Sequence, residues 1–388
     1  MAVGGRQFEP APRPEWGGRE PLTADECRAA FDRVAPYTIG LEEELMVVAP
    51  DTLELSDEGA SLVARAADER IRPELRASQI ELVTPVCETA VEACAHLGEL
   101  RARMAEVAAG SALLAAAGTH PFSSGAGGIS GGPRNELLAE EYEWAAVETF
   151  ACGLHVHVAL GDADRALAVY NAMRSYIPEI AALAANSPFA RGRDTGLASV
   201  RPKLNEAFPR EGIPPVFASW DEYADLVHWG RHAFPDATFL WWELRPHPAF
   251  GTLEVRAADA QTRVEDAAAI AALVHSLVVS LGRRHDAGER LRVHGTFRIA
   301  ENFWSALRHG VSGWMLDLET GEQEPTLERI DRLLGRLEPT AAELGCDAEL
   351  VQARTLLGGN GADRQRYVAA REGLDGLVRW LVAETLLR

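Results

Sequence analysis

Apolar and polar positions along the chain set out its elements before any single residue stands out. TIGLEEELMVV (38–48) is an apolar segment with three glutamates inside it, and it reads as a strand. A turn over 50–59 and a helix over 60–71 follow. ASQIELVTPV (77–86) is a second predicted strand, stopped by Pro85, and an alanine-rich helix spans 89–109. SALLAAAGTHP (111–121) fits a buried third strand, and SSGAGGISGGPR (123–134) a flexible glycine-rich loop. That loop lacks the GxxxxGK[ST] order of a phosphate-cradling loop; it reads as a lid or a plain linker. A helix over 135–149 leads into ACGLHVHVAL (151–160), which alternates as a strand does, and helices fill 162–187. The stretch 186–215 is irregular and rich in Gly, Pro and Arg, and a loop of that length is functional or disordered. The helix 219–233 precedes two strands, 239–248 and 251–259, whose short connection makes them antiparallel. Beyond 263 the pattern is helical, with amphipathic segments near 264–285, 325–336, 348–357 and 364–387. No internal repeat is evident. The expected class is α+β, a large sheet with helices covering one side.

The chain has 388 residues, enough for one large domain or two ordinary ones. Lys and Arg total 38 against 58 Asp and Glu, a net charge of −20, which argues against nucleic acid or an anionic membrane as partner. No apolar run is expected to reach membrane-span length. The N-terminus, broken by Pro, Gly and charge, lacks a signal-peptide centre, so a cytoplasmic location is expected. Cys27, Cys87, Cys94, Cys152 and Cys346 are scattered, without a CxxC pair, and fit reduced structural thiols. Lys203 is the only lysine, best explained by compositional bias.

The period of two on a strand sharpens the question posed by GLEEEL. Glu42 and Glu44 point one way and Glu43 the other; Gln79, Glu81 and Val83 share a face, as do His155 with His157 and Glu254 with Arg256. If these faces converge, they gather carboxylates, imidazoles and a guanidinium on one side of a sheet. Divalent cations let repelling carboxylates share such a pocket, and oxygen-rich donors suit Mg²⁺ or Mn²⁺ with nucleotide phosphates completing the shell. Each element also has a plainer explanation: a solvated glutamate run, a structural or zinc- or iron-binding histidine pair, a Glu81–Arg256 salt bridge. A metal-dependent hydrolase or oxygenase built on HVH and a glutamate, and a nucleotide-binding relative without catalysis, are the alternatives to a nucleotide-dependent enzyme.

TIGLEEEL, SQIELVTPVCET, AAAGTHPF, CGLHVHV, NSPFARGRDTGLAS, WWELRPHP and TLEVRAAD, in this order and spacing, resemble the glutamate–cysteine ligase type 2 family of carboxylate–amine ligases. The similarity runs from about residue 37 to the C-terminus and includes NFWSALRHG (302–310) and GADRQRY (361–367). The resemblance implies a glutamine synthetase-like fold, a curved antiparallel sheet whose concave face holds Mg²⁺ and ATP. With the pattern's flexible tail over 1–25, this gives one catalytic domain over 26–388, mostly helical from 264, and the apolar helices after 325 leave room for a subunit contact. The implied reaction joins glutamate, or a similar carboxylate, to an amine such as cysteine through an acyl phosphate. Carried over residue by residue, Glu42, Glu44, Glu81, His155 and Glu254 are the implied metal ligands. Arg256 is the implied transition-state residue with Glu81, and His157 an additional nucleotide or substrate contact. Arg201 and Arg245 are candidates for the substrate carboxylate, with Gln79 and Thr84 beside them, and Glu43 is expected to be structural. RPKLNEAF and the short segment after THPF depart from the family pattern where an amine would bind, which leaves the acceptor open.

Overall fold

The computed structural model describes residues 20–124 and 127–386. The expected tail over 1–25 falls mostly outside them; by Ala24 the chain is already helical. Strands β1 (Ile39–Val48), β2 (Ile71–Pro73), β3 (Gln79–Val83), β4 (Leu113–Ala115) and β5 (Gly153–Ala159) form the first part of the sheet. A short hairpin of β6 (Phe189–Ala190) and β7 (Arg193–Asp194) breaks the long loop, and β8 (Leu244–His247) and β9 (Thr252–Asp259) complete the sheet. A second small hairpin, β10 (Trp314–Leu316) with β11 (Gln323–Pro325), lies within the region expected to be mostly helical. The sheet has seven strands in the order β2-β3-β1-β5-β9-β8, with β4 on β1, and every pair is antiparallel. This is the α+β, glutamine synthetase-like class that the sequence implied.

The helices are α1 (Ala24–Asp32), α2 (Gly59–Ala66), α3 (Ala90–Ala108), α4 (Pro133–Tyr142), α5 (Trp144–Glu148), α6 (Ala163–Met173) and α7 (Ile177–Leu183). They continue with α8 (Arg201–Asn205), α9 (Trp220–Gly230), α10 (Val264–Asp286), α11 (Thr296–His309), α12 (Thr326–Glu343), α13 (Asp347–Thr355) and α14 (Gly361–Thr385). Their starts are chemically marked: Thr23, Thr89, Asp162, Ser219 and Asn360 each accept a first-turn backbone N–H at an N-cap. The single helix expected over 135–149 is two, broken at Glu143, whose φ of 35° cannot continue a helix. The strand expected over 239–248 begins only at Leu244, after a 3₁₀ turn at Ala237–Phe239. Pro246 fits there because β8 is an edge strand.

One face of the sheet carries Leu41, Leu45, Ile80, Leu82, Leu154, Val156, Leu253 and Val255, all buried in one core with α3, α6 and α10. Each such side chain stabilises the fold by roughly 1.5–3 kcal/mol on burial. Glu43 lies on this apolar face with no exposed surface. Its carboxylate takes two bonds from Arg101 of α3, Nε at 2.7 Å and Nη2 at 2.5 Å, and Arg101 also donates to the carbonyls of Gln261 and Thr262. Helix α10 is, by length and composition, apolar enough to cross a membrane, which the sequence reading did not foresee; 83% of that window is buried inside the fold, so it is a core helix. The expectation of helices on one side holds for most of the sheet. On the opposite face α14 packs Val368, Leu377, Val378 and Leu381 on Met46, Val48 and Ala115 at one end, and the shorter α4 and α8 lie over another part.

Candidate functional site

Antiparallel register places the ionisable residues of four strands on the face away from that core. Glu42 sits across from His155, Glu44 across from Glu81, His157 across from Glu254, and Glu254 across from Arg245. Glu42 Oε2 lies 3.4 Å from His155 Nδ1 and 3.5 Å from His157 Nε2, which is itself 4.0 Å from Glu254 Oε1. Ligand atoms of Glu42, His155 and Glu254 all fall within 4.8 Å of one another. His157 Nδ1 is 3.0 Å from Thr252 Oγ1, while its buried Nε2 has no hydrogen-bond partner and faces the two carboxylates.

A register shift in β5–β9 arranges the rest. Leu154 pairs with Ala258 but Val156 with Val255, so β9 carries an extra residue there. Beyond this bulge Asp259 comes across from Gly153, on the same face as the glutamates; strict alternation would have turned it into the core. Its carboxylate accepts from Arg201 Nε (2.9 Å), Ser199 Oγ (2.9 Å), Ser187 Oγ (2.8 Å) and the Asn186 amide (2.7 Å). Two glycines permit the packing. A Cβ on Gly118 would lie 2.6 Å from the Asp259 carboxyl carbon, and one on Gly153 2.9 Å from His155 Nε2. The Gly153 amide donates to Glu44 Oε2 at 2.6 Å.

Beside the glutamates opens a cleft of about 230 Å³ whose walls include Glu44, Glu74, Gln79, Arg134, Arg201 and Arg256. Glu211 and Trp241 also face it. Arg256 bonds Glu254 Oε1 through Nη1 at 2.5 Å, and its Nε and Nη2 make no bond among the described residues, which leaves donors for the cleft. Arg201 spends Nε on Asp259 and Nη2 on the Arg256 carbonyl. Gln79 donates Nε2 to the Ala151 carbonyl at 2.8 Å. Arg245 is placed differently from the sequence expectation: it grips Glu254 at 2.5 and 3.1 Å, donates to the Thr238 and Leu240 carbonyls, and borders another cavity. Thr84 accepts from the Leu41 amide and serves the strand. Lys203 pairs with Glu206 on the short α8.

The electrostatics divide the acids into two groups. Burial opposes charge on Glu254, but Arg245 and Arg256 outweigh it and hold the carboxyl well below its usual range; Glu42, also buried, is held down by His155 and His157. Burial pushes Glu44 up to about 8, with Glu74 adding repulsion, and raises Glu74 and Glu81 as well. Burial also lowers His155 to about 4, reinforced by Arg256, so both imidazole nitrogens are not protonated together at neutral pH. The residues fit a hard divalent cation: anionic oxygens and a neutral imidazole converge, beside acids whose charged forms a cation would stabilise.

Sequence reasoning missed Glu74, Arg134, Glu211 and Glu243. Arg134 ends the glycine-rich segment, Glu211 sits in the long irregular stretch, and Glu243, inside the strand expected over 239–248, lies just before β8. Burial pushes Glu243 up to about 7. The described part of the glycine-rich loop is tied down, not free: the Gly128 amide donates to Asp57, its carbonyl accepts from Ala77, and the Ser130 amide donates to Leu75.

A family model described as glutamate-cysteine ligase family 2 matches residues 38–384. The chain is 40% identical to a Rubrobacter xylanophilus protein provisionally named glutamate–cysteine ligase 2-3, over 92% of this chain and 99% of that one. It is 38% identical to a Rhodospirillum rubrum protein provisionally named glutamate–cysteine ligase 2, over 89% and 92%. Among solved structures, a Francisella tularensis glutamate–cysteine ligase in complex with AMP matches with a TM-score of 0.65 at 12% identity, over 90% of this chain and 89% of that chain. A bifunctional glutathione synthetase from Pasteurella multocida matches with a TM-score of 0.62 at 15% identity, over 94% and 54%. At such identities these two likenesses concern the fold alone.

Proposed function

Because the chain belongs to the glutamate–cysteine ligase family 2 of carboxylate–amine ligases, we propose that it joins glutamate, or a similar carboxylate, to an amine at the expense of ATP. The observation that carries this reading is the convergence of Glu42, His155 and Glu254 within 4.8 Å, beside a guanidinium with unused donors. Phosphoryl transfer from ATP to the γ-carboxylate would give an acyl phosphate and ADP. Attack by the amine would then form the amide and release phosphate.

The ligand set is Glu42, His155 and Glu254, extended by Glu44 and Glu81 along the same face. Mg²⁺, or Mn²⁺, would supply charge neutralisation and alignment of the phosphates when bound. Glu254 stays anionic because two arginines favour its charge. Arg256 directs its free Nε and Nη2 at charge developing on the transferred group. Arg134, at the cleft wall and with no hydrogen bond among the described residues, and Arg201, with Nη1 to spare, are placed to hold the donor's carboxylate. Arg245 acts through Glu254, holding that ligand in place. His157 presents Nε2 to the same two carboxylates and contacts the nucleotide or substrate. The buried surroundings limit water at the acyl group.

The test is ADP release by the purified chain with ATP, Mg²⁺ and glutamate, with and without cysteine, and with product masses recorded. Cysteine-dependent ADP with γ-glutamylcysteine is the expected result. ADP with glutamate but no conjugate would move the acceptor to another amine. No ADP with any donor and amine would overturn the reading.

A further inference from the structure

Away from the acidic cleft, the chain leaves β3 and enters α3 through Cys87. This residue packs in the helix-covered core beside Ile39 and Leu41 and is only 2% exposed. Reciprocal backbone bonds fix it: the Ile39 amide donates to the Cys87 carbonyl at 2.9 Å and the Cys87 amide to the Ile39 carbonyl at 2.8 Å. Glu92 and His96 lie one turn apart on α3, so their side chains share a helix face. A carboxylate oxygen of Glu92, a ring nitrogen of His96 and Cys87 Sγ all lie within 4.8 Å of one another. Glu92 Oε2 accepts from the Glu88 amide at 2.9 Å, which leaves Oε1 without a hydrogen bond among the described residues. The thiol makes a 3.3 Å contact with the Pro85 carbonyl.

We propose that Cys87, Glu92 and His96 form a binding site for a divalent transition metal of the zinc class, separate from the acidic cluster on the other face. A thiolate, an imidazole and a carboxylate make the mixed donor set that such ions take, and sulfur disfavours Mg²⁺. Tetrahedral bonds of about 2.3 Å to sulfur and about 2.0–2.1 Å to nitrogen and oxygen set neighbouring ligand atoms about 3.3–3.6 Å apart. Small rotations of Glu92 and His96, which lie at the surface, close the gap while Cys87 stays fixed. Glu99, with Oε2 3.6 Å from His96 Nδ1, is placed to accept that N–H when Nε2 is the ligand. Three protein ligands leave a fourth position for water. Burial, with Glu92 adding, pushes the free thiol up to about 11, so binding displaces a proton and tightens as pH rises.

The experiment uses the full chain stripped with a chelator, then titrated with Zn²⁺ against a chromophoric competitor in excess Mg²⁺. One Zn²⁺ per chain is expected, with affinity lowered at least about tenfold by Cys87→Ser or His96→Ala and unchanged by Glu42→Gln. Co²⁺ in place of Zn²⁺ should give a thiolate-to-metal absorption band that Cys87→Ser lacks. If Cys87→Ser does not fold, His96→Ala and Glu92→Gln at the surface decide. Absence of Zn²⁺ binding, or binding that survives both surface variants, overturns the proposal. So does binding lost only with Glu42→Gln, which would assign the ion to the acidic face. This inference does not rest on the ligase reading.

Discussion

Glu254 is enclosed by two guanidiniums that do different work. Arg245 meets it with Nε and Nη2 and ties its own Nη1 to backbone carbonyls, so it fixes the carboxylate. Arg256 meets it with one nitrogen and keeps the others for the cleft. Substitution should separate the roles. Arg245→Gln is expected to raise the Mg²⁺ concentration for half-maximal ADP release about 10–100-fold, with most of kcat regained at saturating Mg²⁺. Arg256→Gln should instead lower kcat about 10²–10³-fold at any Mg²⁺ concentration. Steady-state ADP assays across a Mg²⁺ series distinguish the two, and an Arg256→Gln enzyme with full kcat would remove Arg256 from the mechanism.

At the scale of the element, β1 is the strand on which the molecule is organised, and GLEEEL has a separate answer for each glutamate. Glu42 and Glu44 face the site, whereas Glu43 crosses to the core and holds α3 through Arg101. Breaking that pair leaves a buried charge alone, so Glu43→Gln or Arg101→Met should destabilise the fold by about 3–5 kcal/mol. Urea unfolding checks it, and a loss below about 1 kcal/mol would show the pair to be dispensable. Glu44 and Glu243 carry a pH signature. Their folded values of about 8 and about 7 lie above the ordinary 4.5. In metal-free protein, stability present below about 4.5 is therefore lost as pH rises through about 7–8, because the folded state holds protons that the unfolded chain releases. Below about pH 6.5 His155, His120 and His247, lowered to about 4 by burial, work the other way; melting temperatures in chelator should therefore fall between about pH 6.5 and about pH 8.5, and Mg²⁺ should restore part of the loss by favouring charged Glu44. A metal-independent, flat profile would contradict this. Period-two alternation put Glu42 with Glu44, His155 with His157 and Glu254 with Arg256 on shared faces, because regular pairing preserves parity; their roles came from the family resemblance. Asp259 was not legible, since one extra residue in β9 reverses its face. Glu74 and Glu211 were hidden for another reason: they approach the cleft from irregular segments, and Arg134 from the first turn of α4, where position follows tertiary packing and no strand period marks it.

The whole molecule is closed by its last helix. Four buried side chains of α14 cover Met46, Val48 and Ala115, and at about 1.5–3 kcal/mol each they rival the stability of an entire domain. A chain ending at residue 360 should therefore lose its cooperative thermal transition and bind a hydrophobic dye; a sharp melt would show that the sheet is complete without α14. Polar contacts reinforce the closure: Thr385 Oγ1 accepts from the Ala116 amide at 2.9 Å, and the Thr385 carbonyl accepts from Arg101, the partner of Glu43. The strand bearing the first glutamates thus depends on contacts that join residues 269 and 284 positions apart in the sequence. Such distant contacts make folding slow, because the long intervening loop must close before they can form.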